Sequence, residues 1–171
     1  CVRDSQYAVR NHYDVTVQMD GDGQHDPEYL QTIVQPVLDN ACDMCIGSRF
    51  ITNEGFQTSF MRRVGIRFLS GMIHILCGRR VLDVTSGFRA VNAKLAQYFS
   101  LHYAIDYPEP EAILASSLVG FRVKEAPVIM HERQGGASSI FGFKSAYYMI
   151  KVSLALIIDR FSIRKQKGGR P

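Results

Sequence analysis

The chain has 171 residues, 46% of them hydrophobic, with a net charge of +4 and four cysteines. That length allows one sizeable core and one domain. Charge argues against a nucleic-acid partner: residues 159–171 hold five basic groups (Arg160, Arg164, Lys165, Lys167, Arg170) and one acid, Asp159, and removing these from 20 and 16 leaves fifteen of each sign in 1–158. The body is therefore neutral, without a basic face, and the basicity is a C-terminal tail.

In chain order, the opening VRDSQYAVRNHYD reads as a helix near 2–11 met in the middle of a fold, with no signal-peptide pattern before it, so a fragment is expected. A strand follows at 14–19, where Val15, Val17 and Met19 alternate with Thr16 and Gln18. Asp20 and Asp22 then fall just past its carboxyl end, where open α/β sheets bind ligands. Gly21 and Gly23 permit a sharp turn. Two carboxylates there can share one hard divalent cation, which in turn can hold a diphosphate. Asp and Gly also make ordinary turns. A calcium EF-hand loop begun at Asp20 fails, because its sixth position is His25 and its twelfth is Gln31.

Asp26 and Pro27 form an N-cap and first helical position for a helix near 27–38, with Leu30, Ile33, Val34, Val37 and Leu38 at helical spacing. Strand 43–47 runs into Gly47-Ser48-Arg49-Phe50 and a polar loop to about 58. The longest helix spans 59–77, with Phe60, Val64, Leu69, Met72, Ile73 and Leu76 on one side and Gly78 as its stop. A strand-like stretch at 81–91 contains D-V-T-S-G-F-R over 83–89. Next come a helix at 92–100, a Tyr- and Pro-rich loop at 103–110, a helix from Glu109 to Val119 ended by Gly120, and a closing strand at 121–130. This alternation predicts an α/β sheet with helices packed on it.

Four cysteines (Cys1, Cys42, Cys45, Cys77) fit a reduced compartment better than a disulfide scaffold. Cys42-x-x-Cys45 and His74-x-x-Cys77 can be drawn as a zinc site, but strand residues at i and i+3 point to opposite faces, and His74 and Cys77 sit in an apolar helix pattern. Buried free thiols are expected. The stretch 145–158 is strongly apolar, with Tyr147, Tyr148, Met149, Ile150, Val152, Leu154, Leu156, Ile157 and Ile158 interrupted by Lys151. It is too short to span a bilayer. An apolar helix with tyrosines and a following basic tail reads as a surface-lying membrane anchor held by anionic lipid, against the alternative of a core helix with a solvated tail. Domain limits of 1–144 and 145–171 follow from this change in character.

The polar clusters within the apolar framework are Asp20/Asp22/Gln24, Ser48-Arg49, Asp83 to Arg89, and Glu109/Glu111 followed by residues 131–139. The landmarks D-G-D-G-Q-H-D-P at 20–27, G-S-R-F at 47–50, D-V-T-S-G-F-R at 83–89, Y-P-E-P-E at 107–111, E-A-P-V at 125–128 and R-x-G-G-A-S-S at 133–139 cover nearly the whole chain. In order and spacing they resemble the family-2 glycosyltransferases of GT-A fold, particularly the branch containing dolichol- and polyprenyl-phosphate sugar transferases.

The resemblance implies a partial GT-A fold, a Rossmann-like mixed sheet flanked by helices, with a C-terminal amphipathic helix. It implies that Asp20 and Asp22 bind Mg²⁺ or Mn²⁺ on a nucleotide-sugar diphosphate, with Gln24 nearby. Arg49, Arg62 and Arg133 would surround donor and acceptor phosphates, with Arg63 and Arg67 as neighbours competing for the Arg62 role. Each arginine could instead serve a surface salt bridge. Asp83 and Glu111 would be the catalytic carboxylates, and Ser86, Gly87, Phe88 and Arg89 would line the sugar and acceptor pocket. Glu111 would act as general base toward a hydroxyl acceptor; toward an anionic lipid phosphate no proton need be removed. The family's opening strand, its P-A-Y-N-E motif and its G-S-x-D-x-T motif, which hold base and ribose, do not occur in this sequence.

The expected activity is inverting, metal-dependent transfer from a nucleotide-sugar to a polyprenyl phosphate at the cytoplasmic face of the cell membrane, by a peripheral protein, with the fragment alone inactive. The alternatives are transfer to a saccharide hydroxyl of a cell-wall or O-antigen chain, and a non-catalytic module that binds metal and lipid phosphate.

Overall fold

The structure, a computed structural model, describes residues 2–52, 54–56, 59–103, 107–132 and 143–168. Its elements in order are α1 (Val2–Arg10), β1 (Val15–Gln18), α2 (Leu30–Leu38), β2 (Met44–Ser48), α3 (Phe60–Cys77), β3 (Arg89–Asn92), α4 (Ala93–His102), α5 (Pro108–Val119), β4 (Val123–Pro127) and α6 (Phe143–Gly168). The four strands form one mixed sheet in the order β1-β3-β2-β4. β3 runs antiparallel to both β1 and β2, while β2 and β4 are parallel. This is the expected fold class: a partial Rossmann-like, GT-A-type sheet flanked by helices.

Local chemistry fixes most of the element limits. The Asp26 carboxylate accepts the Glu28 amide, and Pro27 opens a 3-10 turn that leads into α2. Ser59 caps α3 by accepting the Arg62 amide. Asn92 caps α4 in the same way on Leu95. Gly78 and Gly120 close α3 and α5 at positive φ, 74° and 108°, where a β-carbon would be strained.

The sheet's pleat divides two cores. Val15, Val17, Cys45, Ala90 and Ala126 face α2, where Ile33 and Val37 are buried. Met44, Ile46 and Val91 face the larger cluster built with Ile66, Leu69 and Ile73 of α3, Leu95 and Phe99 of α4 and Ile113 and Leu114 of α5. Full burial of each such side chain is worth about 1.5–3 kcal/mol. β2 is covered on both faces and buried at all five positions. α6 joins the larger cluster through Val152 and Leu156, and meets α3 where Gly65 leaves room for Met149.

Three sequence expectations change. Only Arg89–Asn92 of the strand-like stretch 81–91 enters the sheet, because the Leu82 and Asp83 amides donate to the Glu125 carboxylate, both at 2.8 Å, instead of to a neighbouring strand. The closing strand shortens to Val123–Pro127. Cys42 and Cys45 do not point apart: β2 begins only at Met44, so Cys42 lies outside the strand alternation and both thiols fall in the α2 cluster. The two thiols perturb each other: Cys45 holds the Cys42 pKa below the usual thiol value, and Cys42 together with burial pushes the Cys45 pKa above it. His74 and Cys77 lie on α3, beyond the opposite face of the sheet.

Candidate functional site

The carboxyl ends of β1 and β2 and the amino end of antiparallel β3 meet on one rim of the sheet. The landmark residues collect there. Asp20 and Asp22 occupy the turn leaving β1. The Asp22 carboxylate accepts the Gln24 amide at 3.0 Å, and Gly23 supplies the positive φ of 79° that turns the chain. The Asp20 amide donates to His25 Nδ1, also at 3.0 Å. A β-carbon on Gly87 would stand 2.7 Å from Asp20 Oδ2, so glycine there makes the room in which the carboxylate lies. Position 87 in the S-G-F-R loop and the D-x-D turn are thus direct neighbours.

Behind this turn sits a buried ion pair. Arg49, directly after β2, donates from Nε to Asp83 Oδ2 at 2.7 Å and from Nη2 to Oδ1 at 2.8 Å. Asp83 is wholly buried and Arg49 nearly so. Bidentate geometry of this kind fixes the guanidinium plane. Thr85 contacts both partners, and Glu125 holds the Asp83 backbone from below. Ser86 donates to the Gly47 carbonyl at 2.7 Å and accepts the Phe88 amide, so it ties its loop to β2. Phe88 is buried and stacks on His25.

A second buried cation links the rim to α5. Arg89, 3% exposed, reaches the Pro108 carbonyl, the Tyr103 hydroxyl and, at 3.7 Å, Glu109. Tyr103 in turn donates to Gln18 at the end of β1. Burial pushes the Tyr103 pKa up, Arg89 opposes this, and Glu109 and Asp20 reinforce it, which puts that hydroxyl in the field of both carboxylates. Arg89 Nε and Thr16 Oγ1 have no hydrogen-bond partner among the described residues, and both residues border a cavity of about 240 Å³.

Glu111 lies in the first turn of α5 and is 7% exposed. Burial raises the pKa of Tyr148 on α6, Glu109 and Glu111 add to this, and Arg62 of α3 opposes it, so the charges of all three are felt at Tyr148. Phe50, Phe60, Arg63, Arg67, Arg80 and Leu82 line an open groove of about 770 Å³. Arg133 lies outside the described residues. So the rim joins Asp20, Asp22, Gly87, Phe88, Arg49, Asp83 and Ser86, while Arg62 lies in the first turn of α3 and Glu111 in that of α5. His25, Tyr103 and Thr85 are additions that the sequence motifs did not single out as site residues.

The charges at the rim act on one another. Burial pushes the His25 pKa down; Asp20, Asp22 and Asp83 pull it up and Arg49 pushes it down further. Among the described residues no three His, Cys, Asp or Glu side chains gather round one point. Asp20 and Asp22 therefore fit a hard divalent cation only as a carboxylate pair, with substrate oxygens or water completing the shell, which is how Mg²⁺ is usually held. The Gly87 opening beside Asp20 is consistent with that use.

The rim lies outside the carboxyl ends of β1 and β2, the place where open α/β sheets bind ligands. No family model matches the chain. It is 30% identical over 143 residues to an uncharacterized protein of Methanocaldococcus jannaschii, covering 80% of this chain and 59% of that protein. It is 29% identical over 152 residues to the polyprenol monophosphomannose synthase of Mycolicibacterium smegmatis, covering 86% and 57%. It is 25% identical over 153 residues to the UDP-N-acetylglucosamine–dolichyl-phosphate N-acetylglucosaminyltransferase of Methanococcus voltae, covering 85% and 61%. The chain thus spans 57–61% of the length of these relatives.

Proposed function

We propose that the chain is part of a family-2, GT-A-type glycosyltransferase that moves a sugar from a nucleotide-sugar to a polyprenyl phosphate with inversion. The observation that carries this reading is the Asp20 carboxylate lying against Gly87 on the rim that also carries the Arg49–Asp83 pair. The named relatives, a polyprenol monophosphomannose synthase and a dolichyl-phosphate N-acetylglucosaminyltransferase, support the substrate class.

In this reading an acceptor phosphate oxygen bonds to the anomeric carbon as the bond to the diphosphate oxygen breaks. Arg49, held flat by Asp83, orients donor phosphate; Arg62 and Arg133 serve the donor and acceptor phosphates. Asp20 and Asp22 would hold Mg²⁺ or Mn²⁺, whose charge would stabilise the departing nucleoside diphosphate. Gln24 stands beside that pair. Asp83 acts through Arg49. Glu111 orients the acceptor, since an anionic phosphate has no proton to lose.

A second reading rests on Glu111 itself. A buried carboxylate in the first turn of a helix suits a general base for a hydroxyl acceptor. One assay separates the two. The chain, and a longer form carrying any coding sequence upstream of Cys1, is given Mn²⁺, a labelled UDP- or GDP-sugar and either a short polyprenyl phosphate or a saccharide. Label in the organic phase, lost with EDTA, is the expected result. Glu111→Gln should then keep its rate within about tenfold; a loss of about 10²–10⁴ on a saccharide acceptor would favour the hydroxyl reading. No transfer and no metal affinity in either form would defeat both.

The acceptor class also calls for a lipid surface, and peripheral association with the cytoplasmic face is part of the proposal. On α6, Tyr147, Ile150, Leu154, Ile158 and Phe161 are exposed at spacings of three and four, and on α3 so are Met61, Val64 and Phe68. None of the described helices is long and apolar enough to cross a membrane. An exposed apolar stripe next to basic groups suits an interfacial helix. Ile150→Glu/Leu154→Glu should therefore stop the chain from pelleting with vesicles that contain anionic lipid. Equal pelleting of variant and wild type would sink the membrane role of α6.

A further inference from the structure

Among the described residues, His25 is a buried titratable side chain at the rim to which the catalytic and phosphate roles give no part. His25 is 7% exposed, and its Nδ1 accepts the Asp20 amide at 3.0 Å. An acceptor nitrogen carries no proton, so the ring is the neutral Nε2–H tautomer. The same ring stacks on Phe88, with centroids 5.0 Å apart and planes 18° from parallel. Phe88 is 1% exposed and directly follows Gly87, the residue whose missing β-carbon admits the Asp20 carboxylate. The His25 backbone also bridges to Met130. One imidazole therefore holds Asp20 by its amide while resting on the loop that bounds Asp20 by its carboxylate.

We propose that His25 is a positioning residue for the D-x-D turn, fixing the Asp20 backbone through Nδ1 and the S-G-F-R loop through its ring, so that the Asp20 carboxylate is already oriented to take a divalent cation. The proposal rests on the reading of Asp20 and Asp22 as a metal pair. Its physical content is preorganisation: a turn ordered in advance need not be ordered by the ion. Groups that orient metal ligands from behind typically change affinity about 10- to 100-fold when removed.

The test uses the full chain and Mn²⁺ alone, with free Mn²⁺ read by electron paramagnetic resonance and the Asp20 amide read by hydrogen exchange. His25→Phe keeps an aromatic ring on Phe88 and deletes the acceptor; His25→Asn returns an acceptor oxygen near the Nδ1 position. The wild type should bind Mn²⁺ and protect the Asp20 amide. His25→Phe should lose about 10- to 100-fold in affinity together with that protection, and His25→Asn should recover most of both. Mn²⁺ binding that is abolished by Asp20→Asn but untouched by His25→Phe would overturn the role of His25 and leave the metal pair standing. Weakened binding with the Asp20 amide still protected would overturn it as well. No Mn²⁺ binding by the wild type would remove the metal reading and this proposal together.

Discussion

Asp83→Ala is expected to lower the unfolding free energy by about 3–5 kcal/mol, because it strands the buried Arg49 guanidinium without its counter-charge. Asp83 is wholly buried and bonds Arg49 through both oxygens, at 2.7 and 2.8 Å. Neither group can turn to water without opening the rim. The loss is read as a shift in urea midpoint at unchanged slope. Arg49→Met/Asp83→Leu should regain much of it, since well-packed apolar groups often replace a buried ion pair at little cost. That double variant separates stability from function: a folded protein that has lost donor binding is the expected outcome. Normal binding by it would show that Arg49 serves the fold alone.

Asp20→Asn should have the opposite profile, with the fold intact and sugar transfer down by roughly 10²–10³, the usual effect of removing one preorganised electrostatic partner of a transition state. The side chain is exposed, and its backbone tie to His25 runs through the amide, which the substitution leaves in place. Thermal midpoints within about half a degree, a small fraction of the 2–4 °C that roughly 1 kcal/mol produces in a domain of 150–250 residues, would establish the intact fold. Turnover that survives both EDTA and Asp20→Asn would end the metal-dependent reading. Gly87→Ala should move in the same direction by a smaller amount, because its methyl would meet the mobile end of the Asp20 side chain rather than backbone.

Local signals made much of the fold legible in the sequence. Alternation over Val15 to Gln18, the Asp26–Pro27 pair, and Gly78 and Gly120 as stops each express chemistry complete within a few residues. The errors arose where distant groups decide. Residues 81–88 have the composition of a strand, but the Glu125 carboxylate, more than forty positions away, takes two of their amides. Cys42 and Cys45 meet because the strand starts two residues later than Cys42, a boundary that composition does not mark. In the candidate site, the motifs gave Asp20, Arg49, Asp83 and Gly87 as separate landmarks, and the sheet makes them neighbours. Tyr103 reads as part of a loop in sequence, since its partners Arg89 and Gln18 are 14 and 85 positions away.

The antiparallel pairing of β1 with β3 has a consequence for biosynthesis. Gln18 is matched with Arg89, 71 positions later, and among the described residues β1 has no other strand neighbour. At a synthesis rate of about 5–20 residues per second, β1 leaves the ribosome roughly 4–14 s before β3 is available to it. During that wait Val15 and Val17 lack the β3 partner they have in the folded sheet, although α2, which also packs on them, has already been made. Long-range pairing is slow in its own right. A synonymous-codon slowdown between 18 and 89 lengthens that wait and is expected to lower the yield of soluble protein, read as the soluble fraction after expression.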